Sequence, residues 1–328
     1  MKNRKLGVKG FNISEVGLGC WQLGADWGKD ISKETAFNIL SEAVNNGITF
    51  FDTADVYGNG KSESLIGEFL KTCDVPIHVA TKFGRAGDAY PDKYSKDVLR
   101  KSVEGSLQRL GVNALDLLQL HCIPTHYLKE GHVFDWLRDL QQEGLIKHFG
   151  ASVETVEEGL ICVQQENLLS LQVIFNIFRQ KLITELFPQA EAKGVGIIVR
   201  LPLASGLLSG KFDSNTAFPE NDHRNYNRNG DAFNVGETFA GLPFEKGLEF
   251  VDNIKNNILP DNLTMVQLAL RWILDQQAVS TIIPGASSTK QVISNAEVSN
   301  IEALSKETNS ALINLYKELI HKEIRGGY

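Results

Sequence analysis

The sequence lacks the long apolar runs and the clustered cysteines that mark membrane and secreted proteins. No run approaches the roughly 20 apolar residues that a membrane span needs, and no apolar signal core follows the basic start, MKNRKLGVKG. The four cysteines are widely spaced and form no CxxC pair (Cys20, Cys73, Cys122 and Cys162). This spacing favours buried thiols in a reducing compartment over disulfides or metal ligands. We therefore expect a cytoplasmic protein.

Metal-binding patterns and a basic charge excess are also missing. The sequence contains no HxH, HExxH or paired Cys/His spacing, so no metal site is expected. Its net charge of -7 argues against a nucleic-acid-binding surface. With 42% hydrophobic and 22% charged residues in a chain of 328, a sizeable core is expected, and no linker or repeat divides it. We interpret residues 1–328 as a single domain.

A phosphate-binding loop is a third absence. The stretch ADVYGNGKSES (54–64) contains GKS, but a phosphate loop needs a glycine five residues before the GKS glycine, because that backbone wraps around phosphates. Asp55 stands at that position, and its carboxylate would repel a phosphate. We therefore reject a nucleoside triphosphatase.

The sequence does contain a regular alternation of short apolar runs with amphipathic segments. Eight strand-like runs, from EVGLG (15–19) to STIIPG (280–285), are each followed by a helical pattern. Ser32 is the expected N-cap of the first helix and Gly47 its stop. Short strands that are apolar on both faces indicate a parallel sheet covered by helices. Eight such units in about 300 residues predict a (β/α)8 TIM barrel.

An open, doubly wound sheet is the alternative architecture. Such a sheet usually carries G-x-G-x-x-G after its first strand, whereas GLGCWQLG (17–24) has neither that spacing nor a helix that begins on it. The barrel is therefore favoured. We expect RKLGVKGFNISE (4–15) to form an N-terminal β-hairpin across its bottom, and TMVQLALRWILDQ (264–276) and residues 305–322 to form extra helices.

Polar residues stand at the C-terminal ends of three consecutive strands, where chemistry is located in such barrels. Asp52 ends the second strand, Lys82 the third and His121 the fourth. Tyr57 lies just beyond Asp52. Singly, each residue fits a structural role as a cap, a solvated edge or a buried histidine. Together at one rim they indicate a candidate site.

These four side chains suit the delivery of a proton to an oxygen that gains negative charge. A tyrosine hydroxyl has an ordinary pKa near 10, which is too high for an efficient acid at neutral pH. A neighbouring ammonium lowers that pKa, a carboxylate holds the ammonium, and an imidazole can orient a carbonyl oxygen. Carbonyl reduction fits this set, with the hydride supplied by a cofactor.

The sequence resembles the aldo-keto reductase family over nearly its whole length. The motifs that match in order and spacing are FFDTADVYGNGKSE, VATKFG, LDLLQLH, LPLASGLLSGKF and IIPGASSTKQVISN. The resemblance implies NAD(P)H-dependent reduction of aldehydes or ketones to alcohols. It implies that Tyr57 is the general acid and that Lys82, paired with Asp52, lowers the pKa of Tyr57. His121 would position the carbonyl oxygen.

The resemblance also implies an extended nicotinamide dinucleotide across the barrel top, without a Rossmann domain. Gly19 and Trp21 would lie near the nicotinamide and the substrate. Ser152 and Gln172 would contact the carboxamide, and Leu201–Lys211 would wrap the pyrophosphate. The full set of implied cofactor residues is Gly19, Trp21, Ser152, Gln172, Arg200, Leu201, Leu203, Ser205, Gly206, Leu208, Gly210, Lys211, Gly285, Ser287, Lys290, Gln291 and Asn295.

Three departures from the family pattern bear on the cofactor. Val153 stands where many members have Asn, which removes one carboxamide contact. Arg200 stands where many members place a tyrosine under the nicotinamide, and a cation there favours the reduced cofactor and hence the reductive direction. Lys290 is the single basic residue after the last strand, where many members grip the 2′-phosphate. We predict NADPH, since serines also bind phosphate oxygens, with NADH as the alternative.

Two segments are expected to border the substrate. The polar, glycine-rich stretch 212–241 follows the seventh strand, and it would fold over the cofactor without contributing to the core. Plain surface disorder is the alternative for this stretch. The stretch FGRAGDAYPDKY (83–94) would form a second wall, and Trp21, Phe83 and Tyr90 predict a partly aromatic substrate pocket.

Two other functions remain open at this point. Some relatives of this fold serve as cofactor-sensing auxiliary subunits of membrane channels, and an intact set of four polar residues does not exclude such a role. A metal-dependent barrel hydrolase is disfavoured by the missing ligand cluster. We expect a small carbonyl compound as the partner, with no nucleic acid and no membrane.

Overall fold

An eight-stranded parallel sheet forms the centre of the computed structural model, which describes residues 1–24 and 31–328. An antiparallel hairpin precedes the sheet and consists of β1 (Asn3–Lys5) and β2 (Asn12–Ser14). The sheet contains β3 (Leu18–Gly19), β4 (Phe50–Asp52), β5 (His78–Phe83), β6 (Leu115–His121), β7 (Ile146–Ser152), β8 (Leu168–Ile174), β9 (Gly196–Arg200) and β10 (Val279–Ile282).

The strands pair in chain order from β3 to β10, and the two edges then meet. Parallel bridges join Val16 to Ile282 and Gly19 to Gly285. The sheet is therefore a nearly closed barrel, and the prediction of a (β/α)8 TIM barrel with an N-terminal hairpin is confirmed.

Thirteen α-helices lie in the part of the chain that the structure describes. They are α1 (Lys33–Asn45), α2 (Lys61–Leu70), α3 (Lys96–Leu110), α4 (Thr125–Glu130), α5 (His132–Gln142), α6 (Val156–Cys162), α7 (Leu182–Glu185), α8 (Phe187–Lys193), α9 (His223–Tyr226), α10 (Phe244–Asn257), α11 (Met265–Leu274), α12 (Thr289–Glu297) and α13 (Lys306–Glu318). Short 3-10 helices span Trp21–Gly24, Ala204–Ser209, Val235–Glu237, Phe239–Gly241, Val298–Asn300 and Ile320–Glu323. None of these helices is long and apolar enough to cross a membrane.

Local sequence signals account for where the helices begin and divide. The Ser32 hydroxyl accepts a hydrogen bond of 3.1 Å from the Thr35 amide, so Ser32 is the N-cap of α1 as expected. The helical stretch after β8 is divided into α7 and α8. Pro188 stands in the first turn of α8, and it has no amide hydrogen with which to continue a helix from α7.

Alternation along β4 shows how the barrel separates its two environments. Phe50 packs inside the barrel with Leu6 and Ile13 of the hairpin segment, at the end opposite the candidate site. Phe51 packs in the outer core beneath the helices. Asp52 again faces inward, because side chains alternate between the two faces of a strand. The barrel interior is thus apolar at the hairpin end and polar at the C-terminal ends of the strands.

Residues 212–241, which we call the covering segment, are more buried than their polarity suggested. Phe239 and Ala240 belong to the main hydrophobic core, and Glu237 is 6% exposed. The expectation that this stretch contributes nothing to the core is therefore wrong for its second half. Its polar residues bond with one another and with the barrel, for example Asn227 Nδ2 with Thr238 Oγ1 at 3.0 Å.

A glycine in β7 is required by close strand packing, and its replacement should be costly. A Cβ atom at Gly150 would lie 2.5 Å from Ser170 Oγ and 2.6 Å from the Ser170 carbonyl oxygen. We expect Gly150→Ala to lower the free energy of unfolding by about 1–3 kcal/mol, the usual cost of overpacking. Urea unfolding measures the loss. Gly87→Ala is the matched control, since nothing lies within 4 Å of its added Cβ; equal stability of the two variants would contradict this account.

Candidate active site

A buried lysine links three of the polar groups at the C-terminal ends of the strands. The Lys82 Nζ atom lies 2.5 Å from Asp52 Oδ1 and donates to the Thr53 carbonyl oxygen at 2.8 Å. It also donates to the Tyr57 hydroxyl at 3.3 Å. The Lys82 and Asp52 side chains are 1% and 3% exposed. The structure therefore brings Asp52, Tyr57 and Lys82 together as the sequence predicted.

The second carboxylate oxygen of Asp52 is held by two amides from more distant strands. Gln172 Nε2 donates to Asp52 Oδ2 at 2.7 Å and Gln119 Nε2 donates at 3.0 Å. Gln172 also donates to Gln119 Oε1 at 3.2 Å. The Asp52 carboxylate thus accepts bonds from β5, β6 and β8, which satisfies a buried charge.

Tyr57 is positioned by a tight glycine turn. Gly58 has a φ of +59° and its Cα lies so close to Gly24 that an added Cβ would be 2.3 Å from the Gly24 carbonyl oxygen. This contact holds the turn against the 3-10 helix that carries Trp21. The Tyr57 and Trp21 rings stack with centroids 5.9 Å apart. The glycines of the motif therefore place the Tyr57 ring over the barrel mouth.

His121 completes the group at the end of β6. Its ring meets the Tyr57 ring edge-on, with centroids 5.9 Å apart. Burial, reinforced by the charges of Arg85, Lys82 and Arg200, lowers the pKa of His121 well below its ordinary value. The imidazole is therefore neutral at physiological pH, with one ring nitrogen that donates and one that accepts. Its Nδ1 atom has no hydrogen-bond partner among the residues described.

The ionisation of Tyr57 reflects two opposing effects. Burial raises the pKa of the phenol, and the Lys82 charge acts in the other direction. The net shift is upward, so the expectation of a lowered pKa holds for the contribution of Lys82 alone. Burial by itself would lower the pKa of Lys82, but Asp52 and Tyr57 outweigh that effect and raise it. Lys82 therefore remains charged beside a protonated Tyr57.

A second set of charges lies close to His121, and of its members only Arg200 was named by sequence analysis. Arg85 Nη2 contacts Glu154 Oε1 at 2.7 Å and Glu237 Oε1 at 2.9 Å. Arg200 Nη1 lies 3.3 Å from Glu237 Oε1, and Arg200 Nη2 lies 3.4 Å from Cys122 Sγ. The possible ligand atoms of Cys122, Glu154 and Glu237 lie within 4.8 Å of one another, but the two guanidinium groups already balance the carboxylate charges. We therefore interpret the cluster as an ion-pair network.

The prediction that Phe83 lines an aromatic substrate pocket is wrong, because its side chain is buried. Phe83 is 1% exposed and packs edge-on against Tyr94 in the outer core, with centroids 6.1 Å apart. It cannot line the mouth, because Lys82 faces inward and its neighbour in the strand faces outward. Trp21 does lie at the mouth, where its ring also contacts His223 of the covering segment at 5.3 Å. Tyr90 is 48% exposed on the loop between β5 and α3.

Two glycines predicted to contact the cofactor lie where the barrel closes. Gly19 pairs with Gly285, and an added Cβ at Gly19 would be 2.7 Å from the Ile283 carbonyl oxygen. A Cβ at Gly285 would lie 2.4 Å from the Gln22 amide atoms. Gln22 Oε1 is buried without a partner in the described part of the chain. The two glycines and this amide thus form a narrow, polar seam at the rim.

The segment predicted to wrap the pyrophosphate is unusually strained. Five residues in it have positive φ values, three of them non-glycine residues: Leu201 (52°), Ala204 (48°), Ser205 (55°), Gly206 (96°) and Gly210 (68°). Such strain persists at sites where the backbone itself binds a ligand. Side chains contribute less than expected: Leu208 is fully buried.

The Ser205 hydroxyl is engaged by the covering segment. It donates to the Glu237 carbonyl oxygen at 3.0 Å and accepts from the Phe239 amide at 3.2 Å. Ser205 is therefore available to a cofactor mainly through its backbone. Leu203, Gly206, Gly210 and the exposed Lys211 remain accessible at this turn.

The remaining predicted cofactor residues form two groups. Ser152 ends β7 opposite His121 and Gln172, and its Oγ lies 3.6 Å from Cys122 Sγ. At the start of α12, Gln291 Oε1 accepts from the Ser287 amide at 2.7 Å and from its hydroxyl at 3.1 Å. Lys290 is exposed and Asn295 is buried.

Comparison with known proteins agrees with this geometry. The model of the aldo/keto reductase family matches residues 15–317. The uncharacterized oxidoreductase YqkF of Bacillus subtilis (strain 168) is 31% identical over 335 residues, which cover 99% of this chain and 100% of that protein. The NADH-specific methylglyoxal reductase of Escherichia coli (strain K12) is 28% identical, over 92% of this chain and 94% of that protein.

Two solved structures share the fold over nearly their whole length. The glycerol dehydrogenase AKR11B4 from Gluconobacter oxydans has a TM-score of 0.79 and 27% identity, covering 97% of this chain and 96% of that one. The holo form of the aldo-keto reductase AKR11C1 from Bacillus halodurans has a TM-score of 0.76 and 27% identity, covering 100% of this chain and 98% of that one.

The buried pair of Lys82 and Asp52 should be costly to break from one side. We expect Lys82→Met to lower the free energy of unfolding by about 3–5 kcal/mol, because it leaves the Asp52 carboxylate buried beside amides only. The double variant with Asp52→Asn should recover part of this loss, since no uncompensated charge remains. Urea unfolding of the three proteins measures both effects. A double variant no more stable than Lys82→Met would contradict the assignment of the loss to the unpaired charge.

Proposed function

The chain belongs to the aldo/keto reductase family, whose members are oxidoreductases that reduce carbonyl groups, and on that premise we propose that it reduces aldehydes or ketones to alcohols with NADPH. In this proposal Tyr57 is the general acid, and Asp52, Lys82 and His121 support it. The observation that carries the proposal is the bond from Lys82 Nζ to the Tyr57 hydroxyl at 3.3 Å beside a neutral His121.

The hydrogen-bond pattern leaves the Tyr57 proton free for a substrate. The hydroxyl oxygen accepts from Lys82, so the hydroxyl hydrogen remains available to a carbonyl oxygen in the mouth. As that oxygen gains negative charge, Tyr57 transfers its proton and the Lys82 charge stabilises the phenolate. The neutral His121 can donate a second hydrogen bond to the same oxygen.

The residues present fit a nicotinamide cofactor. When bound, the cofactor supplies the hydride. Ser152 and Gln172, neighbours across β7 and β8, would hold the carboxamide, and Gly19, Trp21 and Arg200 would border the nicotinamide. The strained backbone of Leu201–Lys211 would bind the pyrophosphate, and Gly285 with residues 287–295 would hold the adenosine end.

NADPH is proposed over NADH because of the start of α12. Ser287, Ser288 and Lys290 lie where exposed amides attract anions, and Lys290 adds a positive charge there. The Escherichia coli relative is named as NADH-specific, so the two cofactors must be compared directly. Arg200 would border the nicotinamide, but its ion pair with Glu237 at 3.3 Å offsets the charge on which the expected preference for the reduced cofactor depended.

Two relatives are named for small polar compounds, methylglyoxal and glycerol. We propose small carbonyl compounds of this kind as substrates. A panel that begins with methylglyoxal, glyceraldehyde and dihydroxyacetone, followed by loss of NADPH or NADH absorbance, tests the activity. The absence of turnover across a broad panel would contradict the proposed function.

Replacement of Tyr57 tests the general acid. Tyr57→Phe removes the proton donor and keeps the ring, so we expect turnover to fall about 100-fold or more while cofactor affinity stays within a factor of about two. Tyr127→Phe makes the same chemical change outside the mouth, where the hydroxyl bonds to the Asp92 carbonyl oxygen, and should keep full activity. Near-native turnover of Tyr57→Phe on a carbonyl whose chemistry limits the rate would exclude Tyr57 as the acid.

Replacement of Lys290 tests the cofactor assignment. We expect the parent to bind NADPH more tightly than NADH, and Lys290→Ala to reduce that ratio about ten- to a hundredfold, the range for one charge-assisted contact. Titration of both cofactors against tryptophan fluorescence gives the ratio. Lys317→Ala, an exposed lysine on α13, is the control. Equal affinities in the parent would overturn the NADPH assignment. A ratio unmoved by Lys290→Ala would place the phosphate on the serines and backbone, or on arginine residues of the covering segment.

A further inference from the structure

Two guanidinium groups meet one buried carboxylate beside the candidate catalytic residues. Arg85 contacts Glu237 with both terminal nitrogens, at 2.9 Å to Oε1 and 3.5 Å to Oε2. Arg200 lies 3.3 Å from Oε1 of the same carboxylate. The side chains of Arg85, Arg200 and Glu237 are 22%, 13% and 7% exposed. This arrangement is the fork geometry by which arginine binds carboxylates.

The three residues come from separate parts of the chain and converge next to His121. Arg85 lies two residues beyond β5, Arg200 ends β9, and Glu237 belongs to the covering segment. Arg200 Nη2 lies 3.4 Å from the sulfur of Cys122, the residue that follows His121. Arg85 and Arg200 both contribute to the low pKa of His121. Their charges are therefore felt at the place where the carbonyl oxygen would bind.

The backbone that carries the Glu237 carboxylate is fixed by contacts with the rest of the protein. The Glu237 carbonyl oxygen accepts from Ser205 Oγ at 3.0 Å, and Phe239, two residues later, is fully buried. Burial alone would raise the pKa of Glu237, but Arg85 and Arg200 outweigh it and lower that pKa. The second carboxylate on Arg85, Glu154, has a raised pKa because of burial and the neighbouring Glu237 charge. Glu237 is thus the carboxylate of the two with the lower pKa.

We propose that Glu237 determines the charge of the carbonyl compounds that the site accepts. By occupying the fork between Arg85 and Arg200, it supplies the carboxylate that an anionic substrate would otherwise bring. A carbonyl compound with its own carboxylate finds the guanidinium groups already paired with Glu237 and Glu154, whereas a neutral compound needs no such partner. The site therefore selects neutral carbonyl compounds. This inference rests on the proposed function and deepens it.

A matched pair of aldehydes tests the inference. Methylglyoxal and glyoxylate both carry an aldehyde beside a second carbonyl carbon, and they differ in a neutral methyl against a charged oxygen. We expect the parent to prefer methylglyoxal. Glu237→Gln should raise the ratio of kcat/KM for glyoxylate to that for methylglyoxal at least about tenfold, because it frees Arg200 and the side of Arg85 that faces Glu237 for the substrate carboxylate, while Glu154 stays 2.7 Å from Arg85 Nη2. The gain should shrink as salt is added.

Two further variants keep the test decisive. Glu220→Gln makes the same change at an exposed position of the covering segment and should leave the ratio unchanged. Arg85→Gln keeps Glu237 and removes one of its cations, so the ratio should fall below that of the parent. The Arg85→Gln result applies even if Glu237→Gln does not fold.

A binding measurement distinguishes failure of this inference from failure of the proposed function. Quenching of tryptophan fluorescence by each aldehyde gives the same comparison without turnover, and glyoxylate should bind Glu237→Gln at least about tenfold more tightly than the parent. A parent that turns over no carbonyl on the panel contradicts the proposed function only. A parent that prefers glyoxylate, or a ratio and an affinity unmoved by both Glu237→Gln and Arg85→Gln, overturns the inference.

Discussion

The buried ion pair between Lys82 and Asp52 is the interaction on which the candidate site depends. A charge in the barrel interior is tolerated only when its partner and its hydrogen bonds are complete. Asp52 meets this condition through Lys82, Gln119 and Gln172, which lie on three strands other than its own. Since these strands are fixed by the closed barrel, the Lys82 ammonium is fixed as well. Its remaining hydrogen bond then defines the place of the Tyr57 hydroxyl.

The ion-pair network around Glu237 is a second charged cluster, and its Arg85 and Arg200 act on His121 together with Lys82. It connects the loop after β5, the end of β9 and the covering segment through contacts of 2.9 and 3.3 Å. The Ser205 hydroxyl ties the same segment to the strained backbone that we propose for the pyrophosphate. The substrate side and the cofactor side of the site are thereby joined through one residue, Glu237, by its carboxylate and its backbone carbonyl oxygen. The covering segment is part of the candidate site for this reason, although its composition resembles that of a surface loop.

Sequence reasoning succeeded where the regular geometry of the barrel decides the outcome. The rule that polar strand ends share one rim placed Asp52, Lys82 and His121 correctly, because parallel strands in a barrel all point the same way. The prediction failed for Phe83, because it was based only on the aromatic side chain. Side chains alternate along β5, so Phe83 lies on the opposite face from Lys82 and is buried in the core.

The network around Glu237 could not be predicted in the same way. Arg85 and Glu237 are 152 residues apart and lie in irregular segments. In such segments no regular alternation relates the position of a residue in the sequence to the direction of its side chain. A signal was nevertheless present: both Arg85 and Glu237 stand in the two stretches that were expected to wall the mouth.

The pH dependence of the single-turnover reduction rate, measured in the parent and in Lys82→Met, tests the central claim most directly. If Tyr57 is the acid and Lys82 acts through it, the rate falls at high pH as Tyr57 loses its proton. The Lys82 charge opposes the upward shift that burial causes in the pKa of Tyr57, so the inflection should move to higher pH in Lys82→Met. An inflection at the same pH in both proteins would contradict the claim that Lys82 controls the acidity of Tyr57.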